Sequence, residues 1–334
     1  FAEANITGDE FIAAAWLPTQ YNGHTYAMPG AVDVLAIFYN KDIFRDAGLD
    51  PNAPPRTFEE MSIANQKVAL YDERGNMRRF GYVPLSNVEL LMMGYLWGGT
   101  WYDAQNNRVT ANHPGNVRAL SWIVEQVKKY DINKLLAFRG TYAEYAGSAP
   151  GNPFVARNSA FHLNGFWFYE TLDNYAPTMD YGVTFFPTVS GRKEEMRNYM
   201  LYGWDVAIPK GSKNHAAAWD FIKWVFHDNS ALMGVETANG PTVKAQAEKF
   251  VTMLTEKLGP SNRLVPYLPI FTESGNMATR FQPITPAGSF YLDQIQRAID
   301  YAIRGKMSPK EALDAATIQT QKEIDRILGR EASK

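Results

Sequence analysis

The stretch Tyr26 to Leu49, YAMPGAVDVLAIFYNKDIFRDAGL, decides how the chain is read. From Val34 to Tyr39 it is apolar, aromatic and β-branched over the length of one buried strand, and Met28-Pro29-Gly30 leads into that strand from a turn. Asp33 stands at the strand's mouth. After the strand, Asn40 and Asp42 open a helical pattern with Ile43 and Phe44 as its apolar residues, and Gly48 closes it as a C-terminal cap. A strand, a turn and a helix in this order predict an α/β chain and, by themselves, no activity.

Working outward, 334 residues suffice for two domains, and 46% hydrophobic content supplies a core without any apolar run of the roughly 18 residues that a membrane span needs. A net charge of −2 with scattered Lys and Arg gives no footprint for nucleic acid or an anionic membrane. Cysteine is absent, which excludes disulfides, thiolate metal sites and a Cys nucleophile, and is compatible with a periplasmic protein. His24, His113, His162, His215 and His227 show no metal-ligand spacing. There is no phosphate loop, nucleophile elbow or dinucleotide fingerprint, so no cofactor and no metal are expected. Aromatic residues reach 13%, with 8 Trp and 18 Tyr, more than a core alone requires. Aromatic faces suit sugar rings, which are apolar on the C–H face and polar at the hydroxyl rim.

Helices are read at Glu10 to Trp16, at Phe58 to Leu70 behind the capping pair Thr57 and Glu60, and at Glu89 to Tyr95. Further helices are read at Pro114 to Lys129, with Val117, Leu120, Ile123, Val124 and Val127 on one face, and at Ala216 to Phe226. The last runs towards Ile327 from Ser308-Pro309-Lys310-Glu311, where Ser caps and Pro takes the first helical position. Ser159 to Leu163 reads as a strand ending in Asn164-Gly165-Phe166-Trp167. The irregular segment Phe138 to Pro153 is read as a rim loop of the site.

Several motifs in this order resemble the sugar-binding subunits of bacterial ATP-driven importers, the extracellular solute-binding family 1 that includes maltose-binding protein. They are Asn22-Gly23 through Tyr26 and Pro29, then Asp33, Tyr39-Asn40-Lys41-Asp42, and Pro55-Arg56-Thr57-Phe58-Glu59-Glu60, where Phe58 stands in place of the usual Trp. Farther on come the Trp97-Gly98-Gly99 turn, Asn164-Gly165-Phe166-Trp167, Tyr181-Gly182-Val183 to Pro187, Asn239-Gly240-Pro241-Thr242, and the closing signature Gly305 to Leu313. Arg157-Asn158 occupies the place of the family's Gly-Lys pair.

The resemblance implies a two-lobed periplasmic binding protein fold of type II, with a hinge of crossing strands and an interlobe ligand cleft. Its lobes would be 1–35 with 204–279, the remainder of an amino-terminal lobe whose first part this sequence lacks, and 36–203 with 280–334. The implied function is capture of a sugar, an oligosaccharide or glycoside, by lobe closure, and delivery to the transmembrane subunits of an ABC permease. The protein would be a monomer, no enzyme, and periplasmic or extracellular, with a lipid anchor through a preceding amino terminus as one form of that location. Alternatives are a receptor for another polyol-like solute such as glycerol phosphate, and a secreted carbohydrate-active enzyme.

For the site, the resemblance points to Asp33 as the acidic residue facing the sugar and to Trp167 as the stacking aromatic. Trp97, Trp101 or Tyr102 inherits a second aromatic role at the Gly-Gly turn, and Tyr291 a third. Trp204 and Asp205 lie on the second crossing strand, where ligand contact and a core role are both open.

Overall fold

A computed structural model describes residues 1–21, 23–140 and 151–329. The chain falls into two compact units: unit 1 comprises 1–40, 162–186 and 199–281, and unit 2 comprises 41–161, 187–198 and 282–334.

Six strands carry the two three-stranded sheets: β1 Met28–Asp33, β2 Ala36–Asn40, β3 Phe161–Asn164, β4 Tyr181–Thr184, β5 Met200–Val206 and β6 Arg280–Phe281. Their orders are β6-β5-β1 and β4-β2-β3. β5 runs antiparallel to β1 and parallel to β6, and β4 runs antiparallel to β2. The stretch is therefore two strands: Met28-Pro29-Gly30, read as a turn, begins β1 instead, and the run Val34 to Tyr39 is strand only from Ala36. β1 ends at Asp33, β2 begins at Ala36, and the two belong to different sheets. The break is held from outside the strands, because the Tyr199 hydroxyl donates to the Leu35 carbonyl at 2.6 Å. Hydrophobic content cannot reveal such a change of partner, since both halves are buried.

The core of unit 1 behind β1 contains Ile6, Phe11, Met28, Ile222, Phe226 and Val243. The helix expected over Glu10 to Trp16 is reduced to a 3-10 turn at Gly8–Glu10 and one α turn at Ala13–Trp16. Phe11 bridges Val243, and the Ile12 amide donates to the Thr242 carbonyl, so the backbone between the turns is paired away from a helix. The His215–Lys223 helix widens into a π turn at Trp224–Asp228. There the His227 nitrogens lie 3.0 Å from Glu10 and 2.7 Å from Asp228, fastening the amino-terminal segment to the π turn.

Unit 2 is mainly helical. Its capping boxes form as the sequence specifies: Thr57 Oγ1 accepts from the Glu60 amide while Glu60 accepts from the Thr57 amide, and Ser308 pairs with Glu311 in the same way. The helices so started run over Phe58–Val68 and Pro309–Ile327. The Pro114–Lys128 helix buries Leu120, Ile123, Val124 and Val127, as its spacing predicts, while Val117 is only partly covered. Buried Asn116 on this helix donates to the carbonyls of Thr100 and Ala111 at 2.7 and 3.1 Å, which holds the loop beyond Gly98-Gly99 against the helix. The expected rim segment begins inside the helix Ile132–Gly140, and residues 141–150 lie outside the described residues.

Candidate functional site

The site begins with the β1–β5 pair in unit 1. Both backbone groups of Val32 bond to Gly240, the amide at 3.0 Å and the carbonyl at 2.9 Å, which fixes the end of β1. Asp33 follows, directly opposite Tyr202 on β5. Opposed residues of an antiparallel pair have Cβ atoms about 5 Å apart, so these two side chains are neighbours.

Oδ1 of Asp33 is enclosed and accepts no hydrogen bond. Loss of water pushes the Asp33 carboxyl up to about 6, with no second cause. Burial likewise moves the Tyr202 hydroxyl up to about 12. Asp205, farther along β5, is raised to about 6 by desolvation although the residue as a whole is exposed. An enclosed carboxylate without donors is unfavourable for folding, so its presence calls for an explanation outside packing.

Trp204 lies between these carboxylates on β5. It stands opposite Ala31 and meets Phe226 edge-on, with centroids 5.5 Å apart and an interplanar angle of 89°. The register then slips past Gly30, so that Asp205 pairs with Pro29. The slip has a steric basis: the Trp204 ring lies over Gly30, where any Cβ would collide with it. The indole remains 38% exposed, enough to offer surface to a partner.

Trp167 sits at the start of the Phe168–Tyr175 helix. Its indole folds back over Gly165, which has no side chain to obstruct it, and it remains partly exposed. Asn164 Oδ1 accepts from the Gly165 amide at 2.8 Å, and Asn164 Nδ2 lies 2.9 Å from His162 Nε2. Burial lowers the His162 imidazole to about 4, so it stays neutral near pH 7 and serves this turn. Behind β1, an apolar cavity of about 30 Å³ lies among Val32, Val34, Phe166, Phe250 and Phe271.

In unit 2 the aromatic expectations are corrected. Trp101 is fully buried and its indole N–H donates to the Leu91 carbonyl at 3.0 Å. Tyr291 is 1% exposed, and its hydroxyl donates to the Trp101 carbonyl at 2.6 Å. Both rings are core, with no face left for a ligand. Tyr102 directs its hydroxyl to Asn107 at 2.9 Å. Trp97 is partly covered, one face stacked on Phe58 at 3.8 Å and 21°. Of the expected aromatics in this unit, Trp97 and Tyr102 are partly exposed, while Trp101 and Tyr291 are buried. A separate polar groove of about 590 Å³ is lined by Arg108, Asn112, Thr317, Gln321 and Asp325. Its central amide is internally satisfied, since Gln321 donates to Asn107 and Asp325 and accepts from Val109.

The structure thus brings Asp33, Tyr202, Trp204 and Asp205 together on one strand pair, with Trp167 elsewhere in the same unit and Trp97 in the other. Tyr202 was the residue missed. Its signal was parity: it precedes Trp204 by two on a strand, so both occupy the same face. Among the described residues, no group of His, Asp and Glu is arranged to hold a metal ion.

Similarity to solved structures shows that the mixed α/β fold is that of the two-lobed periplasmic binding proteins. CpMnBP1 with mannotriose bound superposes with a TM-score of 0.75 at 25% identity, covering 94% of this chain and 78% of that one. The sequence matches the bacterial extracellular solute-binding protein family over residues 1–228, and the chain belongs to that family. A probable ABC transporter-binding protein of Deinococcus radiodurans is 26% identical over 319 residues, 92% of this chain and 70% of that protein. The maltotriose-binding protein of Pyrococcus abyssi is 24% identical over 333 residues, 96% of this chain and 64% of that protein. The family is extracellular, and no helix among the described residues is long and apolar enough to cross a membrane.

Proposed function

We propose that the chain belongs to the solute-capturing receptor of an ATP-driven importer and that its ligand is a sugar, an oligosaccharide or glycoside. The observation that carries this reading is Asp33, whose enclosed oxygen has no donor among the described residues and which stands opposite Tyr202, two residues from Trp204 on β5. Sugar hydroxyls supply the missing donors, and each charge-assisted hydrogen bond is worth about 1.5 to 3 kcal/mol. Micromolar affinity needs about 8 kcal/mol, so one carboxylate is insufficient. Stacking on Trp167, Trp204 and the open part of Trp97 adds about 0.5 to 1.5 kcal/mol each beyond buried area. That one relative is named for maltotriose and a similar structure holds mannotriose supports the same ligand class.

The receptor would work by lobe closure, the established motion of periplasmic binding proteins, and the ligand drives it only by binding the closed form more tightly. We infer lobes of 1–35 with 204–279, and 36–203 with 280–334. The compact units divide differently, first between Asn40 and Lys41, so the passage from one sheet to the other across Val34-Leu35 lies within unit 1. The receptor acts as a monomer towards permease transmembrane subunits, engages no nucleic acid and performs no reaction on its ligand.

Titration by Trp fluorescence and calorimetry against mono- and oligosaccharides, with each sugar assayed for turnover, tests the reading. Saturable binding without product, reduced in Trp167→Ala, is expected. Consumption of the sugar, or no binding to any member of the panel, sinks it.

A further inference from the structure

The receptor reading leaves the ligand's charge open, and the β1–β5 pair bears on it. β1 reads MPGAVD and β5 reads MLYGWDV, two carboxylates with no Lys, Arg or His on either strand. The two acids stand apart on the ladder, Asp33 opposite Tyr202 and Asp205 opposite Pro29. The elements packed closest to these strands are the Ala13–Trp16 turn, the π turn Trp224–Asp228, the helix Ser230–Thr237 and β6. The first carries no charge. On the π turn His227 is engaged by Glu10 and Asp228, and Asp228 also takes Lys223 at 2.6 Å. On the helix Glu236 pairs with Lys257. Arg280 of β6 is exposed and pairs in register with Met200, two residues along β5 from the Tyr202 that faces Asp33, but it forms no ion pair with Asp33. Among the described residues no cation pairs with either acid, and burial is what displaces both carboxyls upward.

We infer that the sugar captured here carries no negative charge and that a protonated amine on it strengthens binding, because Asp33 and Asp205 stand uncompensated on one strand ladder. This rests on the receptor reading and adds the ligand's charge to it. A phosphate or uronate would bring a second anion to an enclosed carboxylate that already lacks a counter-ion. A neutral sugar supplies hydrogen-bond donors. An ammonium group supplies donors and the missing charge together.

The test uses three β-1,4-linked trimers as probes, of mannose, glucosamine and mannuronic acid, titrated calorimetrically near neutral pH into the wild type, Asp33→Asn and Asp205→Asn. In the wild type the glucosamine trimer is expected to bind about tenfold tighter than the mannose trimer, and the mannuronate trimer about tenfold weaker. Asp33→Asn should shrink this spread to about threefold, and Asp205→Asn should shrink it less, so that sugar geometry is separated from charge. A mannuronate trimer binding as well as the mannose trimer overturns the inference, as does a spread unchanged in Asp33→Asn. A neutral trimer that binds with a flat charge series leaves the receptor reading standing and removes only this step. No binding by any trimer removes both.

Discussion

Two regions of the molecule carry the same sequence signal, Trp and Tyr beside glycine, and use it in opposite ways. At the Gly98-Gly99 turn, the polar groups of Trp101 and Tyr291 are satisfied inside the fold, the indole by Leu91 and the hydroxyl by the Trp101 carbonyl. On the β1–β5 pair, Trp204 covers Gly30 yet stays exposed, and Asp33 has an enclosed oxygen with nothing bonded to it. The difference teaches that residue type does not separate structural from binding side chains. What separates them is whether their hydrogen-bonding capacity is already used.

That contrast is open to mutation. The largest effect belongs to Trp101→Ala, which removes a fully buried ring and strands the Leu91 carbonyl. Urea unfolding should register a loss of about 3 to 5 kcal/mol. A loss below 1 kcal/mol would mean that Trp101 is not the core residue it looks.

Asp33→Asn comes next and should act in two opposite directions. Sugar affinity should fall by about 1.5 to 3 kcal/mol, read calorimetrically, because a charge-assisted bond becomes a neutral one. Stability near pH 7 should rise by about 1 to 2 kcal/mol, since the uncompensated charge is gone. A variant less stable than the wild type would show that Asp33 supports the fold.

The pH dependence follows from the same residue. The folded carboxyl titrates at about 6, against about 3.9 in an unfolded chain. Between those values the folded state holds more protons than the unfolded one, so this group's effect is to lower stability as pH rises from about 4 through 6. Unfolding curves across that window should show the decline in the wild type, and a shallower one in Asp33→Asn. The residual slope belongs to Asp205 and other acids.

Tyr291→Phe is the smallest change. It deletes the 2.6 Å bond to the Trp101 carbonyl but keeps the ring, so thermal unfolding should report a loss of about 1 kcal/mol with sugar affinity unchanged. Weakened binding at full stability would return Tyr291 to the ligand site.

The sequence is most legible where the determinants are local. Thr57 with Glu60 and Ser308 with Glu311 each lie within one helical turn, and both boxes form. Ordering of the Tyr26 to Leu49 stretch also points correctly to the α/β class. Legibility fails where the partner is distant or the signal is uniform. Tyr291 finds Trp101 across 190 positions, a pairing no periodicity encodes. Met28-Pro29-Gly30 reads as a turn by residue type yet begins β1, because its pairing with Val206 and Asp205 of β5 is too distant in sequence to be read locally. Asp33 is recognisable as a candidate from its place in the motif, but its missing hydrogen-bond partner is a property of the folded surroundings.

The central claim is that the unused oxygen of Asp33 exists for a sugar. It is tested most directly by calorimetric titration of a neutral oligosaccharide into the wild type and Asp33→Asn. The account predicts saturable binding to the wild type, weakened about tenfold or more in the variant, equivalent to about 1.4 kcal/mol. Equal affinity of the two proteins for the same sugar would contradict it.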